Sequence, residues 1–578
     1  MINKWVLRQT DADIELMSKT LGISPVTARV MANRGIRTKK TATRFLRPLE
    51  APFPDVLDNK NGILGMRLFI ERLARAKQMN EKVLIYGDYD VDGVTSTVIL
   101  KKALESVGIS SRYYIPNREM EGYGLNIAAL SGLAEFEIDL IITVDNGISS
   151  IEEVDFANSL GMDVIILDHH EPNFLAETEV LPKALAIINP KQRACPFPEK
   201  TLCAAGISYF AAEALFKFFE PEKIWEGRDE ALALAACATV CDVVDLIGVN
   251  RSIVAAGLSV LRKNPNINIG LGALLEDRQA TTETFGFFIG PCINAAGRLK
   301  SAELSVALLL SDNEEEASVY AQALLVLNEE RKRLTENAAS RIMKSAKENP
   351  DKVLVIYDED AHESVAGIVA GRIKDALNKP VIILTNGGGE DFFKGSARSV
   401  PDFNMYEALQ KNQELLHRFG GHAMAAGLTI LRANVAAFRL ALQQEEFPEP
   451  QNIIKADAEL KSKEINTNTA RQLDWLQPFG KGFRAPLFLS YGAKILYMRV
   501  IKEKNTVILT IKLEDSKEIK ALLFGKTEDF LERLSEAGGS PTNFDFLKID
   551  LLYELENNEY NGITSAQLII RDFKITKN

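Results

Sequence analysis

The stretch that decides the fold is Val83-Leu84-Ile85-Tyr86-Gly87-Asp88-Tyr89-Asp90-Val91-Asp92-Gly93. Its first four residues are apolar on both faces, as buried parallel strands are. Three aspartates at alternate positions follow at once. Two similar runs end the same way: Leu140-Ile141-Ile142-Thr143-Val144 runs into Asp145-Asn146-Gly147, and Val164-Ile165-Ile166-Leu167 runs into Asp168-His169-His170. Amphipathic stretches separate the runs, which predicts βαβ units and a doubly wound α/β sheet. In such sheets ligands sit at the carboxyl ends of the strands. Three neighbouring strand ends would gather several carboxylates and two imidazoles in one crevice. Clustered carboxylates repel strongly, and one or two divalent cations resolve the conflict. Oxygen ligands with some imidazole suit Mg²⁺ or Mn²⁺.

Rival readings of the same residues fare worse. Asp88-x-Asp90-x-Asp92-Gly93 opens like an EF-hand loop, but position twelve is Ile99 rather than Glu, and a strand precedes it. A strand followed by Asp-x-Asp also resembles a haloacid-dehalogenase phosphatase, which leaves His169-His170 without a role. A dinucleotide site needs Gly-x-Gly-x-x-Gly after the first strand, and none is there. Any one aspartate could be a cap or turn former; all of them at strand ends together argue against that. Asp242, after the helical run Ala231-Leu232-Ala233-Leu234-Ala235-Ala236, reads equally well as a helix-end residue or a ligand. Cys237 and Cys241 at i, i+4 could ligate a metal, but with no His or further Cys nearby they read as small buried hydrophobes.

Working outward, 578 residues predict about four domains. With 46% hydrophobic and 25% charged residues the composition is globular, which excludes a disordered chain, a collagen and a membrane bundle. No apolar run approaches the roughly 20 residues of a spanning helix. The opening MINKWVLRQT lacks the apolar core of a signal peptide. Five cysteines suit a reducing compartment and no disulfide framework. A cytoplasmic protein with no membrane partner is expected. The net charge of −11 argues against non-specific nucleic-acid affinity. A local basic groove would still suffice, and metal-binding carboxylates count as negative until the metal binds.

Residues 1–60 read as a small helical segment ending in a Pro-rich link, and 61–305 as the catalytic α/β domain. Within 306–349, Ser311-Asp312-Asn313 offers N-cap chemistry for a breaker-poor run in which Tyr320, Leu324, Leu327, Leu334, Ala338 and Ile342 keep helical spacing. Asn349-Pro350 ends it. This predicts a connecting helix roughly 50 Å long. Residues 350–446 read as a second α/β domain. In 447–578, the alternation of Val507, Leu509, Ile511 and Leu513 and the turn signal Asn561-Gly562 predict a β-rich domain, plausibly a small barrel.

At these residues a resemblance becomes specific. Asp168-His169-His170 is the motif that names the DHH phosphoesterase superfamily. Within it, the chain resembles the bacterial exonucleases that degrade single strands from 5′ to 3′. The likeness covers most of the chain: YGDYDVDGVTST (86–97), YIPNREMEGYGL (114–125), ITVDNG (142–147), DVVDLIGVNR (242–251), INAAGRL (293–299), GSARS (395–399), GGHAMAAG (420–427) and PFGKG (478–482). The later glycine-rich blocks resemble the DHHA1 domain, and an OB-like nucleic-acid-binding domain is expected after it.

The resemblance implies that Asp90, Asp92, Asp145, His169 and Asp242, with Asp88 alongside, ligate two Mn²⁺ or Mg²⁺ ions, Asp145 bridging them. It implies that His170 faces the scissile phosphate, that Arg298 and Asn294 touch the scissile region, and that Arg118 and Tyr123 line the path of the strand. It places the 5′ end against Ser396, Arg398, Gly421 and His422. The implied function is metal-dependent hydrolysis of single-stranded DNA to 5′-mononucleotides in recombination and repair. The implied state is a monomer, with a single-strand-binding protein and a helicase as protein partners. The alternatives are a DHH phosphodiesterase for short oligonucleotides or cyclic dinucleotides, and a catalytically silent DNA-binding scaffold. Departures from the pattern fall at Asp360-Ala361-His362-Glu363-Ser364-Val365, which lacks the usual Trp and Gly, at Ala204 in place of a common Gly, and at Phe483 in place of Asn.

Overall fold

The computed structural model describes residues 3–117, 121–122, 124–387, 389, 391–447, 453–513 and 518–577. The chain divides into two compact units, one of residues 55–242 and 257–451, the other of 1–54, 243–256 and 452–578.

The first unit is built on a five-stranded sheet in the order Ser111–Tyr114, Val83–Tyr86, Leu140–Val144, Asp163–Leu167, Ala186–Ile188. Every pairing is parallel. The strands read as continuous apolar runs because both faces are covered, and Ile85, Ile142 and Ile165 are fully buried. Helix Val91–Ser106 packs against helices Ala204–Phe219 and Arg228–Cys241. In chain order the sheet runs 2-1-3-4-5, so the order reverses between Val83–Tyr86 and Leu140–Val144. That reversal opens a crevice beyond the strand ends, where Asp88 and Asp145 begin their loops.

Helix Glu314–Glu348, 35 residues long, is capped by the Asn313 carboxamide, which accepts from the Glu315 and Glu316 N–H groups. Its first half packs on helices Ile269–Leu275, Gly290–Leu299 and Glu303–Leu310. In its second half, Ala338, Ile342 and Ala346 join the core of a second sheet through helix Glu363–Leu377. That sheet has the order Leu416–His422, Ala425–Leu431, Phe392–Arg398, Val381–Thr385, Leu354–Tyr357. Its last two strands are parallel and the other pairings antiparallel.

The second unit is a closed barrel. Phe488–Ile501 pairs with both Thr506–Lys512 and Leu547–Tyr560. The hairpin of Leu547–Tyr560 and Ile563–Lys577 turns on Asn561 (φ 50°) and Gly562 (φ 74°), the two left-handed residues a tight hairpin needs. Residues 1–54 do not stand apart as a separate helical segment. Strand Lys4–Leu7 pairs in parallel with Ile453–Ala456, and Met17, Val30, Met31 and Phe45 share one core with the barrel residues Phe488, Leu509 and Phe573. Three short helices cannot bury a core of their own. Arg251 ties the three chain segments of this unit together: its guanidinium donates to the carbonyls of Phe45 (3.1 Å), Leu476 (2.8 Å) and Pro478 (2.9 Å), over the Phe45 ring. Phe483 packs against that ring at 4.4 Å between centroids, so the departure there fills core space.

Candidate metal centre

The aspartate loop is held by its own helix. Asp90 caps Val91–Ser106, its carboxylate accepting from the Asp92 and Gly93 N–H groups at 2.9 and 3.2 Å. Gly93 is required by proximity: a Cβ there would lie 2.6 Å from the Asp88 Cα. Asp92 points the other way and accepts from Ala204 N–H (2.7 Å) and Ala205 N–H (2.8 Å), the first amides of Ala204–Phe219. Because these donors are backbone groups, the departure from glycine at Ala204 leaves them in place. Asp145 takes a left-handed backbone, φ 64°, at the end of its strand, a conformation that non-glycine residues hold only where the surroundings enforce it. Its N–H donates to the Leu167 carbonyl of the neighbouring strand at 3.0 Å.

His169 sits at the centre of the cluster. Its Nε2 lies 3.2 Å from Asp145 Oδ1 and 3.7 Å from Asp92 Oδ2, and its Nδ1 lies 3.7 Å from Asp242 Oδ2. Asp242 therefore joins the cluster from the C-terminal end of helix Arg228–Cys241, where it is also the residue that closes the helix. Ligand atoms converge in three overlapping sets: Asp88, Asp90 and Asp145; Asp92, His169 and Asp242; and Asp145, His169 and His170.

The electrostatics fit a cation. Burial, then the charge of Asp90, pushes Asp92 up to about 7. Burial, then the charge of Asp92, does the same to Asp242. Asp145 is raised well above the usual carboxylate range by burial and by the charges of Asp92, Asp90, Asp88 and Asp242. Burial lowers His169, which keeps its imidazole neutral at pH 7, the form that ligates metals. His169 Nε2 is buried without a hydrogen-bond partner, as expected of a nitrogen reserved for a metal ion. Carboxylate and imidazole donors arranged this way fit hard divalent ions.

Asp168 behaves differently. Its Oδ1 accepts from the His169 and His170 N–H groups and meets His170 Nδ1 at 2.8 Å, while Oδ2 accepts from Ile148 N–H. Against the cost of burial, the bond and charge of His170 hold it well below the usual carboxylate range. Burial would lower His170, but the Asp168 carboxylate outweighs it and raises the imidazole to about 9. Asp168 thus orients and charges His170. It has no assigned role in the sequence reading, although it is the first letter of the motif quoted there.

Of the other expected residues, Asn294 accepts from Val91 N–H at 3.0 Å and so braces the aspartate loop. Arg298, one helical turn on, donates to the Ser364 carbonyl at 3.0 Å at the start of helix Glu363–Leu377. Arg118 and Tyr123 lie outside the described residues. Ser396 and Arg398 lie on strand Phe392–Arg398, facing that same helix: a Cβ on Gly367 would lie 2.9 Å from Ser396 Oγ and 2.8 Å from Arg398 Nη2. The registers Arg398↔Ala425 and His422↔Ala425 bring Gly421 and His422 to the same end of the second sheet, where both are exposed. Cys237 is fully buried in its helix, as a small hydrophobe would be.

The chain matches the DHH family N-terminal domain over residues 82–239, the DHHA1 domain over 351–445 and the RecJ OB domain over 456–572. It is 33% identical to the single-stranded-DNA-specific exonuclease RecJ of Bacillus subtilis strain 168, over 99% of this chain and 71% of that protein. Crystal structures of RecJ from Thermus thermophilus in complex with Mn²⁺ and with Mg²⁺ share its fold, with TM-scores of 0.82 and 0.76 at 27% and 26% identity. They cover 99% of this chain and 79% and 78% of those chains. With three domain types in the same order and an alignment that spans nearly every residue, the chain belongs to the RecJ family.

Proposed function

We propose that this protein is a metal-dependent exonuclease that hydrolyses single-stranded DNA from 5′ to 3′ and releases 5′-mononucleotides, in recombination and repair. The observation that carries the reading is the buried cluster of Asp92, Asp145 and Asp242 around a neutral His169, a cluster whose mutual repulsion a divalent cation would relieve. In this reading Asp88, Asp90 and Asp145 would hold one divalent ion, and Asp92, His169 and Asp242 would hold a second. Bound Mn²⁺ or Mg²⁺ would acidify the attacking water and neutralise charge growing on the phosphate.

The remaining work falls to the chain. The reaction breaks the bond between phosphorus and the 3′-oxygen of the first nucleotide, and water supplies the new P–O bond. His170, protonated at neutral pH through Asp168, donates to a non-bridging oxygen. Arg298 adds positive charge beside it, and Asn294 holds the turn that carries Asp90 and Asp92. Arg398, with Ser396, Gly421 and His422, receives the 5′ end; a guanidinium suits a terminal phosphate. Arg118 and Tyr123 guide the strand. A single-strand-binding protein and a helicase are the protein partners this function implies, and the enzyme acts as a monomer.

The test is digestion of end-labelled single- and double-stranded DNA with Mn²⁺, Mg²⁺ or chelator, with products sized on a gel. Mononucleotides released from the 5′ end of single strands, and none in chelator, are expected. Laddering from the 3′ end, or rapid digestion of a blunt duplex, would overturn the reading.

A further inference from the structure

Phe287 is the most exposed large hydrophobic side chain among the described residues, at 83%. It sits on a π-helical turn, Phe285–Ile289, between Thr282–Thr284 and the helix Gly290–Leu299 that carries Asn294 and Arg298. A π-turn inserts an extra residue into a helix, is rare, and clusters at functional sites. Here its neighbours are pinned and it is not. Phe285 is fully buried. Phe288 lies under the Arg278 guanidinium at 3.9 Å. The Phe285 carbonyl accepts from Gly290 N–H and from the Cys241 thiol at 3.4 Å. Gly290 permits this contact, since a Cβ there would lie 2.7 Å from Cys241 Sγ. Cys241 immediately precedes Asp242. The turn is therefore stitched to the end of the helix that delivers a carboxylate to the metal cluster, with one aromatic ring turned to solvent.

A lone exposed Phe has no packing role, and a polar residue would serve a solvated helix better. What sets this ring apart from other exposed apolar side chains is that its turn is fastened to the helix carrying Asp242, where it is open to a ligand with a flat apolar face. We infer that Phe287 is a stacking platform for a nucleobase of the single strand beside the metal cluster. This rests on the exonuclease reading and deepens it. Stacking tolerates any base, because every base has a π-face. It also disfavours a duplex, whose bases are already stacked on one another.

The experiment compares wild type, Phe287→Ala and Phe287→Trp. Binding of a fluorescein-labelled oligothymidylate is followed by anisotropy in chelator, where nothing is cut. Turnover in Mn²⁺ is measured on the same strand and on a 5′-phosphorylated dinucleotide. Mn²⁺ binding is measured by calorimetry. Phe287→Ala is expected to weaken strand binding and raise KM roughly tenfold, the fold-change of losing one base stack, with Mn²⁺ affinity unchanged. Phe287→Trp is expected to restore binding. Equal binding by Phe287→Ala and wild type overturns the inference, as does a loss that Phe287→Trp fails to rescue. If wild type binds the strand and Phe287→Ala does not, but neither cuts it, the stacking assignment stands and the exonuclease reading falls.

Discussion

The two sheets of the first unit present their candidate site residues in opposite ways. At the first, Asp88, Asp92 and Asp145 are 2% exposed or less, and backbone aims the cluster: Asp90 by its helix cap, Asp92 by a pair of amides, Asp145 by a left-handed turn. At the second, Arg398 and Ser396 are half-buried and Gly421 and His422 exposed, at the open ends of strands. The first arrangement stores electrostatic repulsion that a cation releases. The second, in the proposed function, would offer donors to a strand end arriving from solvent. Chemistry demands a dry, pre-set site, whereas end recognition needs only charge complementarity in reach of the strand.

That contrast can be broken most forcefully at Asp145. Asp145→Asn is expected to lower turnover by about 10³-fold or more, yet to leave the chelated protein at least as heat-stable as wild type, because a buried charge is gone. The sign follows from the raised carboxylates. Asp92 and Asp242, at about 7 against 3.8, contribute stability that is full below about pH 4 and is lost as pH rises through about 7. Melting curves in chelator should fall over that window, and Mn²⁺ at pH 8 should restore them. A melting temperature in chelator that does not fall between pH 4 and pH 8 would refute the stored repulsion.

Next is Asp168→Asn, expected to cost about 100-fold at pH 8. His170 stays charged until pH passes about 9 because of Asp168. Without that carboxylate the alkaline limb of the pH–kcat/KM profile should move down by at least one pH unit. An unmoved limb would assign the profile to another group.

Arg398→Ala sharpens the other side. Affinity for a 5′-phosphorylated strand should fall about tenfold, with Mn²⁺ affinity unchanged in calorimetry. Parallel loss of both would mean that the two sheets are not separate in function.

Ala204→Pro is the smallest and most specific change. Proline is well tolerated at the first position of a helix, and Cys203, at φ −79° and ψ 167°, already has the conformation that a residue before proline prefers. The N–H to Asp92 is lost, and the ring Cδ takes the place of its hydrogen, so the Asp92 carboxylate must move aside. Mn²⁺ affinity should drop severalfold with the melting temperature within a few degrees of wild type.

Much of this is legible along the chain. The strand-end aspartates, Asp168-His169-His170, the long helix with a cap within Ser311-Asp312-Asn313 and the Asn561-Gly562 hairpin are local features, set by periodicity and turn chemistry over a few residues. Asp242 is ambiguous in sequence because a helix end tells nothing of which crevice it enters. The braces on the loop are not legible either. Asn294 reaches Val91 across some 200 positions, and the donors to Asp92 are backbone amides, which carry no sequence signature.

By itself the sequence determined the sheet type, the chemistry of its strand ends and the order of domains, because hydrophobic period and turn residues act over short range. Only the tertiary structure decided that residues 1–54 complete the barrel core, that Asp168 serves His170 while Asp242 joins His169, and that Phe287 is left in solvent. Those outcomes depend on which distant segments exclude water from one another, and burial is a property of the packed chain rather than of any stretch within it.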